Sequence, residues 1–402
     1  MMRALLKKVA PEFSGSTRPF DSTNIASIIS QQEPKTYGNC DAIAGMLESP
    51  RRSRCEFEFF RPRRRRLDPM PIKNKTQHKS SARSRFTKNF SVSIIGAGRV
   101  GTAFGIALRR AGYDINTVVA KHDRNAKRAA RLIGNSTIGI SATEFRRLAP
   151  TRLDWFRGSS LIIIATPDDA IKSVARELAA TLRSHRKIRK VSPANRVVMH
   201  TSGALSSEVL RPLRNEGFAV GSLHPLVAIS NPQSGAEWLT RAFFSLEGDA
   251  AAIRFGRRIV RDLGGQSFTI DFDAKPLYHA AALMASPNMT ALFDIAVEML
   301  ARCGLTRKRS RQIFLPLVKS TLDNLVSRDP AQALTGTFKR GDITTVKKHL
   351  AAIETAKLRD AWEAYLLLGR RSLSLSDTPN HNKIRRLLTS LDEGNERGRR
   401  RQ

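Results

Sequence analysis

Three glycines within six residues carry the clearest chemical potential in the chain. They stand in Gly96-Ala97-Gly98-Arg99-Val100-Gly101. The preceding run, Phe90 to Ile95, is apolar and β-rich. The following stretch, Thr102 to Gly112, repeats its apolar residues at helical spacing and closes on a glycine. A GxGxxG match alone is weak, but strand, glycine turn and helix together are the context it needs. Gly96 would allow the tight turn, Gly98 the approach of a pyrophosphate to the backbone, and Gly101 the close packing of helix on strand. The helix start would offer free N–H groups and a positive dipole end to phosphates. The six residues from Gly96 to Gly101 are therefore the expected cofactor loop. The plain alternative is a glycine-rich turn that holds no ligand.

The residues that would select the cofactor follow at the end of the second apolar run, Ile115 to Ala120. An acid there binds the ribose 2′-hydroxyl of NAD, and a base favours the 2′-phosphate of NADP. Asp123 stands between Lys121 and Arg124, ahead of a basic helix with Lys127, Arg128 and Arg131. The balance favours NADP, with Arg124 at the phosphate and NAD as the alternative. Leu161 to Ala165 reads as a buried parallel strand. Ala165, Thr166 and Pro167 would close its carboxyl end beside the cofactor, with Asp168 or Asp169 capping the next helix.

Hydride chemistry also needs a group that exchanges a proton, and histidine suits pH 7. Of eight histidines, His78, His122, His185 and His381 lie in basic loops or tails and read as solvated. His200 ends a strand and reads as a packed polar residue. His349 follows Arg340-Gly341-Asp342, which reads as a turn and helix cap, or more sharply as an Arg340 clamp on a carboxylate. His224, before Pro225 at a strand end, and His279, after Tyr278 in the first turn of a helix, are the stronger candidates. Each could instead be structural. No metal-binding cluster, nucleophile elbow or Walker loop is present in the sequence.

These residues need a frame. Strand and helix signals alternate from 91 to 270, as in a doubly wound parallel sheet. After Asp273 only helical segments follow, roughly 275–303, 307–327, 330–336 and 343–370, with Pro287 and Pro316 expected to break or kink two of them. The expected organisation is a basic extension over 1–88, a nucleotide-binding domain over 89–272, a helical domain over 273–375 and a loose basic tail over 376–402. The 402 residues carry a formal charge of +34, with +11 in residues 1–90, +3 in 376–402 and +20 between. The charge is thus spread along the chain and guides partner choice weakly. No run of about 18 apolar residues suggests a membrane span. Cys40, Cys55 and Cys303 form no disulfide or zinc pattern, which fits a reducing compartment and a cytoplasmic location. The 1–88 extension has three readings: a solvated tail or an upstream start, a nucleic-acid-binding arm, or a targeting peptide.

Several stretches carry a resemblance. SIIGAGRVGTAFG, IIIATPDDAI, MHTSGALSSEVL, GSLHPL, KPLYHAAALMAS and ALTGTFKRGDITTVKKHL, spanning about 91–370, resemble a bacterial family of Rossmann-like oxidoreductases with a C-terminal domain of unknown function. That family is similar to ketopantoate reductase, pyrroline-5-carboxylate reductase and 6-phosphogluconate-dehydrogenase-like proteins. The resemblance implies a Rossmann sheet followed by an all-helical domain that closes over the nicotinamide and pairs two subunits. GSLHPL is also similar to a Gly-Ser-His-Pro motif of prephenate and arogenate dehydrogenases, which implies substrate binding by His224. Relatives place a Ser or Thr near the nicotinamide, which points to Ser202. An active-site Asn is implied at Asn288, although Pro287 displaces it by one position. The lysine that some relatives place four residues before that Asn is missing from its slot, since Met284 stands there.

The leading expectation is an NADP-dependent oxidoreductase acting on a small ketone, hydroxy acid or imine held between two domains of a homodimer, without a membrane or nucleic-acid partner. A non-catalytic dinucleotide sensor or scaffold is the first alternative. A nucleic-acid-associated protein using its basic arm is the second.

Overall fold

The computed structural model describes residues 90–148, 159–184 and 196–400. The expected extension over 1–88, with His78, and His185 lie outside these described residues. The described chain falls into two compact units, one ending at Met289 and one running from Thr290. This division falls later than the 272/273 boundary expected from the loss of strand signals. The helix that follows the last strand belongs with the sheet.

The first unit is built on eight strands: β1 (Ser91–Ile95), β2 (Asp114–Ala120), β3 (Ile138–Ser141), β4 (Ser159–Ile164), β5 (Val197–His200), β6 (Ala219–Pro225), β7 (Phe243–Gly248) and β8 (Gln266–Thr269). Their order is β3-β2-β1-β4-β5-β6-β7-β8. β1 to β6 pair in parallel, β7 runs antiparallel to β6, and β8 lies parallel to β7. The order reverses between β1 and β4, so a crevice opens at their carboxyl ends, where doubly wound sheets bind ligands. β3 was not anticipated. It is a four-residue edge strand, too short and too exposed to show a buried run.

The sheet is covered on both faces, which is why its central strands read as unbroken apolar runs. Leu161 and Ile163 of β4 join one core with Val92, Ile94, Phe104 and Leu108. Ile162 and Ile164 join the other with Ile171, Leu178 and Val198. This alternation is the two-residue period of a strand. The helices of this unit are α1 (Arg99–Arg110), α2 (Asp123–Ile133), α3 (Ala142–Leu148), α4 (Asp168–Ser184), α5 (Arg211–Arg214), α6 (Pro232–Leu239), α7 (Ala250–Asp262) and α8 (Lys275–Ala285).

The helix α9 (Pro287–Arg302) leads into the second unit, followed by α10 (Arg307–Ser327), α11 (Pro330–Ala333), α12 (Thr337–Arg340), α13 (Ile343–Thr355), α14 (Arg359–Leu373) and α15 (His381–Arg400). Pro287 starts a helix, as its fixed φ and missing N–H favour. Pro316 lies inside α10 without ending it. The expected segment 343–370 is two helices, separated at Lys357, whose φ of 53° no helix interior accepts. The loose tail expected over 376–402 is corrected. α15 buries Ile384, Leu387, Leu388 and Leu391 in one core with Val346, Leu350, Trp362 and Leu366. Those four residues recur at helical spacing, and the charge around them masks the stripe.

The stretch Phe272–Arg302 is long and apolar enough to cross a membrane by length and composition, and almost none of it is buried. The sequence reading did not anticipate this. The stretch is two helices, interrupted at Ser286. Its first helical residue, Lys275, is fully buried.

Candidate functional site

The glycine loop has the geometry of a phosphate cradle. Gly96 adopts φ +112°, and a Cβ there would lie 2.5 Å from the Ala165 carbonyl group. A Cβ on Gly101 would overlap the Gly96 carbonyl oxygen and press on the Ala165 Cβ at 3.1 Å. Both glycines are therefore demanded by packing within the protein. Gly98 is different, because a Cβ there would meet nothing within 4 Å. Its backbone conformation, φ −77° and ψ −170°, suits any residue. α1 starts at Arg99 with no capping side chain and no acid in its first turn. Its first N–H groups and its positive dipole end therefore have no capping side chain. This is a fit to an anionic group such as a pyrophosphate. Ala97 and Val100 are half-buried beside the loop, and Arg99 is exposed.

The neighbouring strand ends complete the crevice. The Ala165 N–H donates to the Ile95 carbonyl at 2.7 Å, which fixes β4 against β1 at the loop. The Thr166 hydroxyl is buried without a protein partner. Pro167 is exposed. At the start of α2, Asp123 is paired with Lys127 at 2.8 Å. That pairing engages the acid that follows β2. Arg124 is exposed and, among the described residues, makes no ion pair.

A second group of side chains gathers at the ends of β5 and β6. The expected histidines, His224 and His279, stand with their rings 5.7 Å apart, edge to face.

 The two histidines stand 55 positions apart in the chain, and the fold brings both rings to Gly203. A Cβ on Gly203 would lie 2.5 Å from His279 Nδ1 and 2.9 Å from His224 Nε2. Only glycine therefore lets the loop after β5 come this close to both rings. His224 Nδ1 is hydrogen-bonded to the Tyr278 hydroxyl at 2.7 Å. Burial, helped by His279 and Lys275, pushes His224 down to about 4, so its ring is neutral at pH 7. His279 Nδ1 is buried and has no protein partner.

The sequence reading missed Lys275. It is fully buried. Its Nζ donates to the Ser222 hydroxyl at 2.8 Å and to the Ser202 carbonyl at 3.4 Å. Burial lowers its pKa, against the pull of the Glu247 and Asp168 carboxylates. Lys275, Tyr278 and His279 stand at i, i+3 and i+4 on α8, so one helical face presents all three. That spacing was the available signal, but a lysine opening a helix reads as a surface residue. Glu247 was missed too. It is buried in β7 and accepts from both the N–H (2.8 Å) and the hydroxyl (2.6 Å) of Ser207.

The other expected residues divide. Ser202 lies in the loop, and its hydroxyl is fully engaged. It donates to Asp168 at 2.8 Å and accepts from the N–H groups of Ala204 and Leu205. This makes Ser202 an organiser of the Gly203 loop. His200 is a packed polar residue, as expected. Its Nδ1 accepts from the Ser202 N–H at 3.1 Å and its Nε2 lies 3.2 Å from the Ser206 carbonyl. Burial first, and then Lys275, push it down to about 3. Asn288 is exposed and its amide contacts the Met284 sulfur, and no contact joins it to the histidines among the described residues. In the second unit, Asp342 caps α13 through Thr345, Arg340 is exposed, and His349 is hydrogen-bonded to Tyr365 at 2.8 Å. Among the described residues no cluster could hold a metal ion.

With this geometry in place, two family models match the chain. Residues 75–225 match a Rossmann-like domain, and residues 242–372 match DUF2520, a domain of unknown function. Along the chain, the Rossmann-like match precedes the DUF2520 match. The two share the described site, since the glycine loop, Ser202, Ser222 and His224 fall in the Rossmann-like match and Lys275, Tyr278 and His279 fall in the DUF2520 match. No curated protein matches the chain. A Bacteroides fragilis protein provisionally named an NADP oxidoreductase is 20% identical, with 71% of this chain and 98% of that chain covered and a TM-score of 0.55. That likeness establishes a shared fold. More distant are a Plasmodium falciparum pyrroline carboxylate reductase with NADP bound (14% identity, 72% and 100% covered, TM-score 0.45) and a Myxococcus stipitatus imine reductase in complex with NADP+ (17% identity, 71% and 94% covered, TM-score 0.46).

Proposed function

We propose that this protein is an oxidoreductase that uses a nicotinamide dinucleotide, with NADP preferred, on a small ketone, hydroxy acid or imine. The observation that carries the reading is the unequal environment of the three loop glycines. Gly96 and Gly101 are closed in by protein, while Gly98 faces open space at the uncapped start of α1. A dinucleotide would lie with its pyrophosphate on this loop and its 2′-phosphate toward Arg124. When bound, it would supply or accept the hydride.

The protein's own residues would orient the reacting group. A histidine that titrates near 4 is a poor proton source at pH 7, but its neutral ring still hydrogen-bonds. We assign His224 to binding the substrate oxygen or nitrogen and His279, whose Nδ1 lacks a protein partner, to proton exchange beside it. Tyr278 fixes the His224 ring from behind. Homodimerisation through the C-terminal helices belongs to the same proposal. Its support is the apolar surface of α10, where Leu315, Leu317 and Val326 are exposed. Sedimentation at several concentrations tests it, and a monomer throughout would reject it.

The functional reading is tested by titrating NADPH and NADH by fluorescence, then screening carbonyl, imine and hydroxy-acid substrates. Saturable NADPH binding with turnover in the panel is expected. Absence of binding would overturn the reading. Binding without turnover, unaffected by His224→Ala and His279→Ala, would favour a non-catalytic sensor, which the exposed position of Asn288 also favours.

A further inference from the structure

We propose that Lys275 is a positioning residue of the histidine site, whose buried ammonium group locks the Gly203 loop to β6 beside His224 and His279. The inference rests on the functional reading only in calling this cluster a reaction site. The geometry stands by itself.

Lys275 reaches across three segments. Its Nζ donates to Ser222 on β6 and to the Ser202 carbonyl in the loop after β5. The Ser222 hydroxyl in turn donates to that same Ser202 carbonyl at 3.1 Å. Ser222 has a single proton, so the lysine must be the donor in their shared hydrogen bond. The carbonyl that receives both bonds belongs to the residue before Gly203. Lys275 therefore fixes the backbone at the point where the loop lies against both His224 and His279.

The surrounding charges fit a lysine that stays an ammonium. Asp168 holds the Ser202 hydroxyl, and the Glu247 carboxylate is held by Ser207. Both act on Lys275 in favour of its charged form. The remaining titratable neighbours of His224 are His200, His279 and Tyr278, and neither carboxylate hydrogen-bonds to it. A cation set behind His224, with no acid bonded to its ring, disfavours a second positive charge there. The same face of α8 thus supplies the cation, the ring partner Tyr278 and the second histidine.

The test is histidine and lysine NMR on the full chain, which reads protonation without needing turnover. In the unaltered protein the Lys275 side chain should report an ammonium at pH 7. A neutral amine there would overturn the proposal. In Lys275→Met, His224 should titrate higher, by on the order of one pH unit, while Lys275→Arg should keep it low. Unchanged His224 titration in a folded Lys275→Met protein would also overturn it, since a merely structural lysine would move stability alone. If Lys275→Met fails to fold, the ammonium measurement and the Lys275→Arg titration still decide. NADPH binding should persist in both variants, because the glycine loop lies elsewhere. Failure to bind in the unaltered protein would instead count against the functional reading.

Discussion

Gly98→Ala separates a ligand-facing glycine from two packing glycines. At Gly98 a Cβ meets nothing within 4 Å and the backbone angles suit alanine. The change should therefore leave stability within about 0.5 kcal/mol of the parent. At Gly101 the added carbon would overlap the Gly96 carbonyl oxygen, and the obstacle is backbone that cannot swing aside. Overpacking of this kind costs about 1–3 kcal/mol. Binding should follow another order. A methyl group on Gly98 occupies the space through which a pyrophosphate approaches the backbone. A loss of about 1.4–2.8 kcal/mol would appear as a ten- to hundred-fold rise in the NADPH dissociation constant. Denaturant midpoints with constant slope report the first quantity, and fluorescence titration the second. Gly98→Ala with unchanged NADPH affinity would refute the reasoning, because the open side of the loop would then not face the cofactor. A large fall in its stability would refute it also, by showing that the space is filled.

Four further outcomes follow from the same geometry. Arg124→Ala should weaken NADPH by about ten-fold or more, as loss of a charge-assisted hydrogen bond implies, and leave NADH nearly unchanged; equal effects on both in parallel titrations would remove Arg124 from the 2′-phosphate. Ser202→Ala strips Asp168 and two N–H groups of their partner and should cost about 1–3 kcal/mol by chemical denaturation; a neutral result would end its role as loop organiser. Tyr278→Phe, which removes the 2.7 Å bond to His224, should lower kcat on any substrate the panel finds with little change in stability, and unchanged kcat would reject Tyr278 as the ring's support. His200 is pushed down to about 3 from an ordinary 6.5, so between those values the unfolded chain binds the proton and the folded one does not. Stability should fall on acidification from about pH 6.5 toward pH 3, by up to ~1.4 kcal/mol per pH unit from this group, and the slope should be shallower in His200→Gln when denaturation is followed against pH.

The glycine loop was legible in the sequence because it is local. Strand, glycine turn and helix occupy Ser91 to Arg110, and the spacing of Gly96, Gly98 and Gly101 is set by the turn itself. The β4 strand was legible for a similar reason: covered on both faces, its run from Leu161 to Ile164 is apolar at every position. His224 and His279 could be singled out by residue type. Their meeting at Gly203 could not, because it depends on β5, β6 and α8 converging from distant parts of the chain. Lys275 and Glu247 were hidden by the rule that charges lie outside. Each breaks that rule because partners 40 to 73 residues away meet it in the fold. The sequence by itself thus determined the central parallel strands and the glycine turn, whose geometry is fixed by neighbouring residues. Only the tertiary structure decided which polar side chains form the second site, since burial and hydrogen-bond partners across the chain exist only once the strands have paired.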